Sequence, residues 1–141
     1  MAGWIIALIS GALMSLQGIF NTEVTKQTSI WVSAGWVQLT AFLTCLIFWL
    51  SGDRESISAL FTVRPVYLLV GGVMGAFITW TVIKSMAALK PAQATLIIVV
   101  AQILVSYLVE VMGLFGVERE GFQWKKVLGA AVAILGIFIF K

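Results

Sequence analysis

The chain has 141 residues, 61% of them hydrophobic and only 11% charged, with a net charge of +3, no histidine and one cysteine. A soluble domain of this length carries about a quarter charged residues, so a water-facing globule is excluded, and the positive residues sit singly rather than in the basic run that nucleic acid would require. Imidazole relays, histidine metal sites and an internal disulfide are excluded as well, and neither a metal nor a cofactor is expected.

Mean hydropathy is +1.07, and the apolar residues fall into five runs of the length that spans a bilayer as helices. The first helix is predicted over residues 2–21. It lacks a basic leading segment and an obvious cleavage site, so it reads as a retained span rather than a signal peptide. Gly3, Ser10, Met14, Gln17 and Asn21 share one narrow face of it. Thr22 to Ser29, with Glu23 and Lys26, reads as a water-exposed connection. The second helix is predicted over 30–51. Ser33, Thr40 and Thr44 lie on one face, where back-bonding makes them weak indicators of a pore. Gln38 lies opposite, and its amide needs a partner in a neighbouring helix or a cavity.

The loop Gly52 to Val63 contains Asp53, Arg54 and Glu55 and reads as aqueous. The third helix is predicted over 65–89, with Pro65 near a first-turn position that tolerates its missing N–H. Gly71 and Gly75 make a small-xxx-small face, and Trp80 and Lys84 lie one turn apart elsewhere. Lys90-Pro91 is so short a link that the third and fourth helices are expected to be antiparallel neighbours.

The fourth helix, 91–112, is apolar but carries a polar stripe: Thr95, Gln102 and Ser106 fall within about 40° of one another and Glu110 about 40° further round. Hydrocarbon does not tolerate such a stripe unless it faces protein or water. Gln102 lies near mid-span, and Glu110 is about 12 Å nearer the following loop at 1.5 Å per residue. The first helix, through Gln17, is the expected partner of this stripe. Gly113 to Gln123 is a polar loop with Glu118, Arg119 and Glu120. The last helix, 124–140, is short for a bilayer, so Lys125, Lys126 and Lys141 are expected to snorkel at its ends. Gly129, Ala133 and Gly136 form a smooth face, suited either to packing within the chain or to a dimer seam.

Five spans put the termini on opposite sides. Arg54, Arg64, Arg119, Lys125 and Lys126 lie on the amino-terminal side, against Lys26, Lys90 and Lys141 on the other, with Lys84 leaning the same way. The positive-inside bias is small, so both orientations are open to the chain. Many transporters consist of two inverted halves around a central site, and no internal repeat is visible here. The chain therefore reads as an all-α membrane protein supplying one half of an inverted-repeat transporter, completed by an antiparallel homodimer or by a related chain.

Particular segments resemble a known family. Gln17-Gly-Ile-Phe-Asn-Thr22 closes the first helix, Gly71-Gly-Val-Met-Gly75-Ala-Phe lies in the third, and Ala92-Gln-Ala-Thr-Leu-Ile-Ile-Val-Val-Ala-Gln102 leads to an acid eight residues on. With Gly129 and Gly136 in the last helix, nearly the whole chain resembles the YdcZ-like bacterial inner-membrane family, five-helix relatives of the EamA-type drug/metabolite transporters. That resemblance implies a secondary transporter, generally an exporter, of poorly defined small molecules. Short four-helix multidrug exporters of the same superfamily carry an essential glutamate within their first helix. Met14, Ser15 and Gln17 stand in that region here, so their proton-coupling scheme does not transfer, and Lys84 departs from the family pattern.

The candidate substrate path is Gln102, Gln17 and Gln38, whose amides otherwise serve to lock helices together, with Trp80, Tyr107 and Trp36 as stacking faces for a flat or cationic molecule. Glu110 is either a coupling acid at a cavity mouth or a carboxylate reaching interfacial water. Lys84 either snorkels while packing on Trp80 or pairs with Glu110 of an antiparallel copy. Trp4, Trp31, Trp49 and Trp124 lie nearer helix ends, as belt anchors do. The expected function is export of small metabolites or drug-like molecules by alternating access. The competing readings are a non-transporting membrane subunit or a lipid-headgroup flippase. An enzyme is not expected, since no nucleophile stands with a base and no glycine loop cradles phosphate.

Overall fold

The computed structural model describes residues 2–52 and 56–140. Asp53, Arg54 and Glu55, assigned above to an aqueous loop, and Lys141, assigned to a snorkelling end, lie outside the described residues, as does Met1. The described chain is helical: α1 (Ala2–Gln27), α2 (Ile30–Ser51), α3 (Gly71–Leu89), α4 (Pro91–Met112) and α5 (Trp124–Ile139), with 3-10 segments at Ile57–Thr62 and Val66–Val70. Among the described residues four stretches are long and apolar enough to cross a membrane: Ala2–Gln27, Ile30–Ser51, Val66–Leu89 and Pro91–Met112. Their large side chains point outward, with Trp4 81%, Phe42 63% and Leu8 73% exposed. An apolar surface this continuous is stable only against lipid or another protein.

The structure differs from the sequence expectation at the end of α1, at the start of α3 and in the loop after α2. The first helix does not stop at residue 21 but runs on to Gln27. Its polar last turns satisfy themselves: Thr22 and Thr25 donate to the carbonyls of Gly18 and Asn21, each at 2.8 Å, and Lys26 pairs with Glu23 at 2.6 Å. At 1.5 Å per residue the helix is about 39 Å long, enough to cross a hydrocarbon core of about 30 Å and leave that polar end in water. The third helix is α only from Gly71, because the stretch after Pro65 winds as a 3-10 turn over Val66–Val70, a common start for a helix. The loop after α2 is not uniformly polar, since its 3-10 segment exposes Ile57, Leu60 and Phe61.

The chain divides into two compact units, Met1–Ala87 and Ala88–Lys141. In the first, α1 and α2 form a hairpin. Ser29 caps α2, its side chain accepting from the Val32 N–H at 3.3 Å. The buried Ser33 hydroxyl donates to the Asn21 carbonyl at 2.9 Å, next to the buried Ala34 and Thr22. The contacts of α1 and α2 with α3 include small and flat groups. A Cβ built on Gly18 would stand 2.6 Å from Met86 Cε and 3.1 Å from Val82 Cγ1, so α1 meets α3 through a missing side chain. The Trp31 and Trp80 rings stack at 6.3 Å and 17° between α2 and α3.

In the second unit, α4 ends at Gly113, which takes φ +65° and returns its N–H to the Val109 carbonyl at 2.8 Å. The following loop folds back on the helix end: the Glu120 N–H donates to the Glu110 carbonyl at 2.9 Å and Arg119 Nε to the Val111 carbonyl at 3.2 Å. A Cβ on Gly113 would meet Arg119 Cβ at 2.9 Å. Gly113→Ala therefore combines left-handed strain with a clash, and a loss of about 1–2 kcal/mol is expected in unfolding experiments in mixed micelles. Gly116→Ala shares only the strain, because nothing lies within 4 Å of Gly116, and should cost less.

Candidate functional site

The polar stripe of α4 becomes one wall of a groove against α5. Val99, Gln102, Ile103, Ser106, Tyr107 and Glu110 line it from α4, and Lys126, Gly129 and Ala130 from α5; its volume is about 450 Å³. Thr95, on the same stripe, is outside it. The geometry follows from the loop. The Tyr107 hydroxyl accepts from the Gln123 N–H at 2.9 Å and lies 3.3 Å from the Gln123 carbonyl. Gln123 is the residue that starts α5, so one phenol fixes where that helix begins. Phe122 packs between Tyr107 and Trp124, edge-on to the latter at 5.3 Å.

Charge gathers at one end of the groove. Lys126 Nζ lies 2.7 Å from Glu110 Oε2, bonds the Glu120 carboxylate as well, and stands 5.7 Å from the centre of the Tyr107 ring. Both Glu110 and Lys126 keep more than a third of their side-chain surface exposed, at 37% and 36%, so water screens the pair. Sequence reasoning set Lys126 aside as a snorkelling end and did not give Glu110 a partner within the chain. A signal was available, because a lysine in the first turn of a helix opposes the positive end of the helix dipole. Its position there calls for a local anion.

Gln102 has no partner of this kind. Its side chain is exposed on α4 and makes no hydrogen bond among the described residues. In the first unit Gln17 is likewise exposed, and with Asn21, Trp36, Thr40 and Thr44 it lines a groove of about 640 Å³ between α1 and α2. The two threonines donate to carbonyls one turn back, at 2.9 and 2.8 Å, whereas the exposed Gln17 amide makes no hydrogen bond among the described residues. Gln38 sits apart from both grooves, its amide nitrogen 3.2 Å from a Cβ built on Gly75. Gly75 thus admits a glutamine of α2, while Gly71, Gly129 and Gly136 meet nothing within 4 Å. Lys84 Nζ lies 5.8 Å from the Trp80 ring centre, so that ring is shared between a cation and Trp31. Trp31, assigned by sequence to belt anchoring, also stacks on Trp80 and stays exposed.

The family model described as "Putative inner membrane exporter, YdcZ" matches residues 2–139. The chain belongs to that family. It is a multi-pass inner-membrane protein, and its family description is that of an exporter. No curated protein and no solved structure matches it. The α4–α5 groove offers amide and hydroxyl groups at depth, a carboxylate–ammonium cluster at its end, and aliphatic walls between.

Proposed function

We propose that the chain is a secondary-active exporter of small metabolites or drug-like molecules, working by alternating access as one half of a two-chain carrier. The observation that carries this reading is Gln102. An amide that is exposed in the middle of an apolar span and makes no hydrogen bond would be costly against lipid, whereas substrate or a second protein surface would satisfy it. Family membership points the same way. In this reading Gln102 lies deep in the substrate path, Tyr107 offers a stacking face, and Glu110 is the titratable group at the mouth. Gln17 and Trp36, which line the α1–α2 groove, and Gln38 and Trp80 are the path residues of the first unit. The short α5 is the fifth span: its 16 residues reach about 24 Å, and Lys126 extends to the interface.

Two copies in opposite orientations would complete an inverted pair, with the smooth Gly129 and Gly136 face as the seam. Reporter fusions at the carboxyl terminus should return signal from both sides of the membrane, and a single orientation in every molecule rules out the antiparallel homodimer. Transport itself is read by reconstituting the chain into liposomes loaded with a compound panel and imposing a pH gradient. Gradient-dependent efflux is expected, and a non-transporting scaffold gives none.

A further inference from the structure

The groove between α4 and α5 already holds a cation, supplied by the chain itself. The Lys126 ammonium sits between the Glu110 and Glu120 carboxylates, 2.7 Å from the former, with the Tyr107 ring 5.7 Å away. Two carboxylates share one ammonium, so the cluster carries a net negative charge. Arg119 keeps its own charge but turns its Nε to the Val111 carbonyl at 3.2 Å, and the ion pairs of both carboxylates are made by Lys126. Beyond the charges the groove runs past Ser106, Ile103 and Ala130 to Gln102, with Val99 on its far side.

We propose that this groove binds a primary ammonium compound whose nitrogen takes the place of Lys126 Nζ, with its apolar body lying along α4 towards Gln102. The inference rests on the exporter reading and names a substrate class for it. A primary ammonium has three N–H donors, enough to bond both carboxylates and still face the ring. A quaternary nitrogen has none and forfeits the charge-assisted bonds. Lys126 is then a tethered competitor on a flexible four-carbon stem. It keeps Glu110 neutralised when the groove is empty, swings towards solvent when substrate enters, and displaces substrate at release.

Calorimetry on the full chain in detergent micelles tests this with phenethylammonium and its N,N,N-trimethyl analogue. Removing a tethered competitor present at an effective millimolar concentration should tighten phenethylammonium binding at least about tenfold in Lys126→Met. The gain should shrink in Glu110→Gln/Lys126→Met, which keeps only the Glu120 carboxylate of the cluster, and should be clearly smaller for the trimethyl analogue, which is drawn by charge alone. Equal binding to wild type and Lys126→Met overturns the proposal, and so does an equal gain for the trimethyl compound. Should Lys126→Met fail to fold, the wild-type chain still decides. The carbon-13 resonance of the Lys126 ε-carbon, assigned with Lys126→Arg, should move with phenethylammonium and not with the analogue. Lack of movement overturns the displacement. Export of other compounds without amine binding would sink this assignment and leave the exporter reading standing. Amine binding with no flux of any compound would do the reverse.

Discussion

Gln102→Leu should lower flux through reconstituted liposomes at least about tenfold, the size expected when a site loses one hydrogen-bonding group that the moving substrate needs. Stability should not fall. Gln102 makes no hydrogen bond among the described residues, so the chain loses no internal contact, and leucine is at least as good a helix former and more soluble in lipid. This combination separates transport from scaffolding. If the amide serves only to hold chains together, Gln102→Leu would reduce cross-linked dimer and flux in parallel. A path-lining amide predicts loss of flux with the dimer intact. Normal flux in the leucine variant would remove Gln102 from the path.

Gly18→Leu should be the most damaging single change to the fold, at about 2–3 kcal/mol. A Cβ at that position meets Met86 Cε at 2.6 Å, Met86 Sδ at 2.8 Å and Val82 Cγ1 at 3.1 Å. A methionine tip can retreat from alanine, but not from four added carbons while Val82 closes the other side. Gly11→Leu on the same helix is the control: nothing lies within 4 Å of it, and a change within about 0.5 kcal/mol is expected. Met86→Ala should recover part of the loss in the Gly18→Leu background. Equal stabilities of the Gly11 and Gly18 variants in mixed-micelle unfolding would mean that α1 does not meet α3 through Gly18.

Much of the helical fold was legible because lipid imposes a simple pattern. Long apolar runs separated by short polar ones leave few alternatives, and α2 and α4 are unbroken helices over Ile30–Ser51 and Pro91–Met112. The misses have local causes. Thr22 to Gln27 looked like a loop by polarity, yet threonine back-bonding and the Glu23–Lys26 pair keep it helical. Hydrophobic patterning does not register such contacts.

The site divides in the same way. Helical periodicity alone was enough to put Gln102, Ser106 and Glu110 on one face, and all three line the α4–α5 groove. Lys126 was missed because its partner lies sixteen residues back, across a loop whose course depends on Gly113 turning left-handed and Tyr107 catching Gln123. Neither event leaves a periodic trace. The stacking of Trp31 on Trp80 was also not legible, because it depends on how α2 and α3 pack.

Counterflow tests the central claim most directly. Liposomes carrying the wild-type chain are preloaded with an unlabelled compound from the efflux panel and diluted into a trace of the labelled form. Alternating access predicts transient accumulation of label above its outside concentration, weakened in Gln102→Leu. A channel would let label equilibrate without overshoot, and a scaffold would leave it outside; either result contradicts an alternating-access exporter.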